Sequence, residues 1–176
     1  MNAITIENLT KKYENTVAVD NLNLSIKQGE LFALLGGNGA GKTTTIKMLS
    51  CLIKPTSGDA YLLGDSITSN PHTIKKKINI SPQETAVAAN LSVLENLKLI
   101  AGIYGQDSKT ANKNAHEIAC KFGLEQELNK KAKNLSGGMQ RRLSIAMALI
   151  SEPQILFLDE PTLGLDVLAR RELWAS

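Results

Sequence analysis

Apolar and polar residues alternate in two stretches near the start of the chain, residues 3–9 and 17–26 (Val17, Val19, then Leu22, Leu24 and Ile26). A period of two sends successive side chains to opposite faces, so the pattern predicts two half-buried antiparallel strands. Gln28-Gly29 interrupts it, and the wholly apolar run Leu31-Phe32-Ala33-Leu34-Leu35 follows. That run predicts a strand buried on both faces. The period then changes. Ile46, Leu49 and Ile53 fall on one helical face and predict a helix from about Lys42, ended by Pro55 and Gly58, with a second strand pair from Asp59 to Leu63.

The middle of the chain, about 84–150, reads as helical throughout. Ser92-Val93-Leu94-Glu95 fits a capping box, in which the serine oxygen and the glutamate each satisfy a free backbone N–H. Leu94, Leu97, Ala101 and Tyr104 then recur at helical spacing, and a further helix is predicted from Ser108 to Phe122. Met139, Leu143, Ala146 and Ile150 give the next amphipathic helix, with Ser136 as its N-cap and Pro153 as its stop. Ile155 to Leu158 reads as another buried strand, and Val167 to Trp174 as a last helix. The expected division is a β subdomain with a phosphate-binding core over 1–83, a helical subdomain over 84–150 and an acidic strand segment over 151–176.

Candidate chemistry sits where these patterns change. Gly36-Gly37-Asn38-Gly39-Ala40-Gly41-Lys42-Thr43, followed by Thr44, matches the phosphate-loop pattern between a predicted strand and a predicted helix. A polyphosphate needs many donors close together and no side chains in the way. Glycines let the loop curl so that successive N–H groups point inward, and the helix adds its positive end. In this pattern Lys42 neutralises the β- and γ-phosphates and the Thr43 hydroxyl holds Mg²⁺. Asp159 and Glu160 follow four apolar residues, so both carboxylates emerge at the carboxyl end of a strand, where ligands bind in α/β sheets. A plain reading of a Leu-Asp-Glu-Pro turn is structural; its pairing with a phosphate loop favours metal and water chemistry.

Between those two motifs lies Leu135-Ser136-Gly137-Gly138-Met139-Gln140-Arg141-Arg142. With it, the chain from about Ile4 onward resembles the ATP-binding subunit of ABC (ATP-binding-cassette) transporters. The resemblance implies an α/β fold, with a phosphate-loop core, an antiparallel β subdomain and an inserted helical subdomain. It implies ATP and Mg²⁺ as ligands, with Asp159 in the metal shell, Glu160 as general base, and Gln83 both contacting Mg²⁺ and linking the core to the helical insert. Tyr13 would stack on adenine. Ser136, Gly137, Gly138 and Gln140 would close over the nucleotide of a second, head-to-tail subunit, and Asp166 would bond across that dimer. The motif order carries these expectations, and Pro161 to Arg171 with Asn96 to Gly105 most resemble bacterial exporters of the multidrug and ABC-2 type.

Two departures from the family pattern stand out. Gly37 occupies a position where proline is usual, which predicts a looser empty loop. A switch histidine is expected one helix and one strand beyond Glu160; the sixteen residues after Glu160 hold no histidine, so the chain reads as cut short and its turnover as open. Two alternatives therefore stand beside a transport ATPase: a nucleotide-binding module without turnover, and a soluble ABC ATPase of translation or DNA repair. The second usually carries two cassettes or long coiled-coil inserts, and neither is visible.

Composition bounds rather than redirects this reading. The 176 residues are 43% hydrophobic and 21% charged, with a net charge of +3, and no nucleic-acid partner is expected. Lys75-Lys76-Lys77 and Lys130-Lys131 read as solvated, and His72 and His116 as surface residues. Cys51 and Cys120, far apart and without metal-type neighbours, read as free and mostly buried thiols. Met1 to Thr5 lack the features of a signal peptide, and Leu143 to Ile150, the longest nearly apolar stretch, is far below the roughly 18 residues of a membrane span. A separate integral membrane permease is therefore the expected partner, with this chain peripheral on the cytoplasmic face.

Overall fold

A computed structural model of the chain describes residues 1–82 and 86–159, which form two compact units, Met1–Ile78 and a second from Asn79 onward. The predicted final helix, with Gln83, Glu160 and Asp166, lies outside the described residues.

In the first unit β1 (Asn2–Tyr13), β2 (Thr16–Lys27), β3 (Ser57–Leu62) and β4 (Asp65–Ser66) form an antiparallel sheet in the order β2-β1-β3-β4. Of the positions the alternation marks, Ile4, Ile6, Val19 and Ile26 are buried, with Leu9, Ala60 and Leu62, while Leu22 and Leu24 are half-buried and Val17, next to the turn between β1 and β2, is exposed. The strict period breaks at Asn8 and Asn21, both with positive φ, where the register between β1 and β2 shifts. Asparagine tolerates that conformation. Side chains satisfy the displaced backbone: Asn23 Oδ1 accepts from Asn8 N at 2.9 Å, and Thr10 Oγ1 accepts from Asn21 N at 3.0 Å. The bulge passes so close to Gly58 that any Cβ there would run into the Asn8 carbonyl.

Helix α1 spans Lys42–Leu49 and ends sooner than the apolar spacing predicts. Cys51 takes a left-handed conformation (φ 56), its N–H bonds Met48 O at 2.9 Å, and Leu52 N bonds Lys47 O at 2.9 Å. These are the two bonds of a helix-terminating Schellman motif, here built on cysteine instead of the usual glycine. Ile53 therefore lies beyond the helix. The run Leu31 to Leu35 also departs from expectation. It is not a strand, and Leu31 (75% exposed) and Leu35 (92%) face solvent. Apolar composition marks a segment that could be sandwiched, but a sandwiched strand needs neighbours. Among the described residues no strand pairs with this one, because β1 to β4 pair with one another. Helix α2 (Pro71–Lys75) closes the unit against β4 with Ile74 fully buried.

The second unit packs α3 (Val93–Ile103), α4 (Ser108–Lys121) and α5 (Gly137–Leu149) around one core, beside a two-stranded sheet of β5 (Ile78–Ser81) and β6 (Ile155–Leu158). Alanines 111, 115 and 119 recur every four residues and let α4 lie close to α3. Tyr104, expected on the buried face of α3, follows its last turn and is 39% exposed; Asn96 is buried instead. The Asn96 amide holds the segment before the helix, accepting from Ala88 N at 2.8 Å and donating to Ala88 O and Ser92 O. The helices lie where the pattern places them.

The capping box forms as expected. Ser92 Oγ accepts from Glu95 N at 3.1 Å, and Glu95 Oε2 accepts from Ser92 N at 2.7 Å. The bond from Ser92 N, with the Ser92 hydroxyl beside it, holds the Glu95 carboxyl below its ordinary range. A carboxylate with a depressed folded pKa contributes stability above its unfolded pKa and loses it as pH falls through the folded one, so this cap should weaken on acidification below about pH 4.3. Ser92→Ala, which removes the other half of the box, should cost about 0.5–2 kcal/mol. Urea denaturation at neutral pH checks the loss, and a fall in wild-type stability on acidification that Glu95→Gln does not share checks the linkage.

Of the two cysteines, Cys51 is half-buried and burial raises its thiol pKa, whereas Cys120 is exposed on the outer face of α4, contrary to the expectation of two buried thiols. Its neighbours Ala115 and Ala119 take the inner face, which leaves position 120 pointing outward. His72 and His116 are exposed, as expected. Among the described residues, no helix is long and apolar enough to cross a membrane.

Candidate nucleotide site

The phosphate loop runs through the exposed residues 35–40 of the first unit and turns into α1 at Gly41. Gly41 is the N-cap of α1, with φ 79 and ψ 4, and no side chain caps the helix. The first turn of a helix has no carbonyls of its own to receive its N–H groups. Thr45 N reaches back to Gly41 O at 2.8 Å, the first bond of the helical ladder. Gly41 also seats the loop on the sheet: a Cβ there would run into the Ala18 carbonyl oxygen and lie 3.1 Å from Val19 Cγ2 on β2. Gly37 is different. Its φ is not positive, and a Cβ would meet nothing within 4 Å.

Lys42 curls back over the loop. Its ammonium donates to Gly36 O at 2.7 Å and to Gly37 O at 2.9 Å. An ammonium has three donors, so this arrangement spends two on holding the curve and keeps a positive charge in its mouth. Thr43 and Thr44 are half-buried in the first turn. Tyr13, 46% exposed, ends β1, and Lys11 Nζ stands 5.1 Å from its ring centroid while donating to Lys54 O at 2.7 Å.

In the second unit Ser136 caps α5, its Oγ accepting from Met139 N at 3.3 Å. Ser136 and Gly137 are exposed, so the amino end of α5 faces outward with a small, bare surface. Behind it, Gln140 Nε2 donates to Ala132 O at 3.1 Å and to Leu135 O at 3.3 Å. Gln140 thus ties the turn that leads into the helix, with Ala132 and Leu135 buried beneath. Asp159, 5% exposed, follows β6, and its N–H bonds Ser81 O at 3.0 Å.

Two buried residues that sequence reasoning passed over complete this end of the sheet. Arg141, 2% exposed, donates from Nη2 to Asp159 O at 2.8 Å and from Nη1 to Pro82 O. Ser144 lies 3.3 Å from Ser81, hydroxyl to hydroxyl. Burial lowers the Arg141 pKa and the nearby Asp159 opposes that, leaving an arginine charged at any ordinary pH. The signal was present in the pattern. From Leu143 to Ala148 the helix is buried on every side, so a charge one turn earlier on the Ile145 face had to be paired.

Fold and site together define a phosphate-loop nucleotide cassette with an antiparallel sheet and a helical subdomain. Residues 19–163 match the family model described as ABC transporter, and the chain belongs to that family. It is 41% identical, over 98% of its length and 52% of the relative's, to the daunorubicin/doxorubicin resistance ATP-binding protein DrrA of Streptomyces peucetius. It is 40% identical to the probable multidrug ABC transporter ATP-binding protein YbhF of Escherichia coli, over 97% of this chain and 30% of the relative. The chain thus spans about half or less of these relatives. A solved dimeric post-hydrolysis form of the ATP-binding cassette MJ0796, bound to ADP and Pi, superimposes with a TM-score of 0.89 at 31% identity, over 98% of this chain and 80% of that one.

Proposed function

We propose that this chain is the ATP-binding and ATP-hydrolysing part of an exporter, working as a head-to-tail pair of cassettes beneath a separate membrane permease on its cytoplasmic face. The observation that carries the reading is the phosphate loop itself: an uncapped helix start with a lysine ammonium bent into the mouth of the curl. The names of DrrA and YbhF support the export and multidrug side of it.

In this reading the amides from Asn38 to Thr44, with Gly36, Gly39 and Gly41 shaping the curve, wrap the triphosphate, and Tyr13 stacks on the adenine. Thr43, Asp159 and Gln83 hold Mg²⁺. The donor set suits that ion, which keeps several waters and takes hard oxygen ligands with only one or two carboxylates beside the phosphates; the described residues contain no cluster of three acidic, histidine or cysteine ligands, and such a site needs none. Bound there, Mg²⁺ neutralises charge on the phosphoryl oxygens. Glu160 positions the attacking water, and Lys42 and the loop amides stabilise the charge that develops. Across the dimer, Ser136, Gly137 and Gly138 receive the γ-phosphate of the partner's nucleotide, and Asp166 bonds across the interface. A serine hydroxyl can accept the cap bond from Met139 and donate to a phosphate at once.

Two such charge-assisted bonds, about 1.5–3 kcal/mol each, should favour the dimer by about two to four decades per site. Light scattering on Glu160→Gln should therefore show a dimer with Mg-ATP and a monomer with ADP or no nucleotide. A monomer under all three conditions would overturn the dimeric mechanism.

A further inference from the structure

The carbonyls that Arg141 joins belong to different strands. Pro82 follows β5 and immediately precedes Gln83 in the chain, and Asp159 follows β6 and precedes Glu160. The arginine itself rises from α5, five residues after the Ser136 cap. Ser144, one turn further along α5, meets Ser81 at the end of β5, and the Asp159 N–H closes the ring onto Ser81 O. Helix α5, the signature helix that opens in the Leu135 to Arg142 segment, is thus pinned to both strand ends through a single buried guanidinium and its immediate neighbours. Burying a charge without ample partners is costly, and an apolar side chain of similar size would fill the space at less expense. What the guanidinium adds is a planar fork of fixed geometry, which an ammonium cannot imitate.

We propose that Arg141 is a positioning residue: its fork, shared between the Pro82 and Asp159 carbonyls, fixes the signature helix to the metal-side strand ends, so that seating Ser136 to Gly138 on one nucleotide sets Asp159 for the metal of the other. This rests on the reading given under Proposed function, in which each chain offers its signature to its partner's ATP and its strand ends to its own. Arg141 then lies on the path inside one chain that joins two nucleotides. It touches neither of them.

The test separates metal-side geometry from phosphate-loop binding. ATP affinity is measured by calorimetry on the full chain, once with Mg²⁺ and once with EDTA, for the wild type, Arg141→Lys and Arg141→Gln, with far-UV dichroism to confirm folding. The phosphate loop lies elsewhere in the chain, so affinity without metal should stay within about twofold. The extra tightening on adding Mg²⁺ should shrink by about ten- to a hundredfold in both variants, the scale seen when the groups supporting a metal ligand are removed. Folded variants with the wild-type gain from Mg²⁺ would overturn the proposal. So would a parallel loss of affinity with and without metal, a wild type indifferent to Mg²⁺, or failure of both variants to fold, since each makes the arginine a packing residue. Failure of the wild type to bind ATP under either condition would instead bring down the functional reading beneath it.

Discussion

Gly41→Ala should remove nucleotide binding and destabilise the first unit together. Two independent features forbid a side chain at this position. Its φ of 79 is a conformation that costs a non-glycine residue about 1–2 kcal/mol. The added methyl would also run into a backbone oxygen, that of Ala18, with Val19 Cγ2 only 3.1 Å away. A flexible side chain could swing aside, but the carbonyl of a paired strand cannot. The loop must therefore lift from β2, taking with it the N-cap of α1 and every donor amide in the curl. Misplacing positioned groups by about 1 Å can cost on the order of a hundredfold, and a loss of that size in ATP affinity is expected here. The melting temperature should fall as well. Gly37→Ala is the matching control: φ is not positive, the methyl has open space, and the carbonyl that accepts from Lys42 is unchanged. It should bind ATP as tightly as the wild type or more so, because alanine narrows the freedom of the empty loop. Wild-type affinity in Gly41→Ala, measured by titration of a fluorescent ATP analogue, would refute the geometry.

That contrast between two glycines of one loop shows where the sequence stops being informative. The motif fixes Gly36 and Gly41 and leaves 37 and 39 open, but it does not say why Gly41 is required: the reason is the Ala18 carbonyl on the strand lying underneath. Alternation in β1 and β2, the Ser92 capping box, the Ser136 cap and the helix from Ser108 are legible because each is written in neighbouring residues. Signals with a substituted residue are not. Cysteine in the left-handed position after α1 hides a terminator that glycine would announce, and so spacing alone places Ile53 inside the helix. Periodicity also cannot supply a partner. Leu31 to Leu35 has the composition of a sandwiched strand, yet it pairs with none among the described residues. Arg141 is legible only in part. The apolar run after it marks its face of α5 as buried, but its partners at the ends of β5 and β6 are distant in sequence. Asn96 escapes notice likewise, since a polar residue on an otherwise apolar face carries no local mark of the loop it holds.

Lys42→Ala should produce a different phenotype from Gly41→Ala, and the difference tests what the lysine does. Its ammonium rests on two carbonyls, Gly36 O and Gly37 O, on the exposed side of the turn. Those carbonyls can turn to water when the lysine is gone, so stability should change by no more than about 0.5 kcal/mol, as for most exposed positions. Binding should suffer much more. A hydrogen bond to a charged group contributes about 1.5–3 kcal/mol, and at about 1.4 kcal/mol per decade its removal weakens the complex roughly ten- to a hundredfold for each phosphate oxygen left unserved. The missing charge sits at the β- and γ-phosphates in the proposed mode, so ATP should lose more affinity than ADP and both more than AMP. Lys42→Arg should recover little, because a planar guanidinium does not fit the tight curl that a single nitrogen spans between two adjacent carbonyls. Titrations with the three nucleotides, alongside thermal melts, decide the matter. A uniform loss across AMP, ADP and ATP would mean that the lysine shapes the loop without meeting the terminal phosphates. An unchanged ATP affinity would mean that the ammonium never leaves its two carbonyls to serve a ligand, and the nucleotide reading of the curl would fall with it.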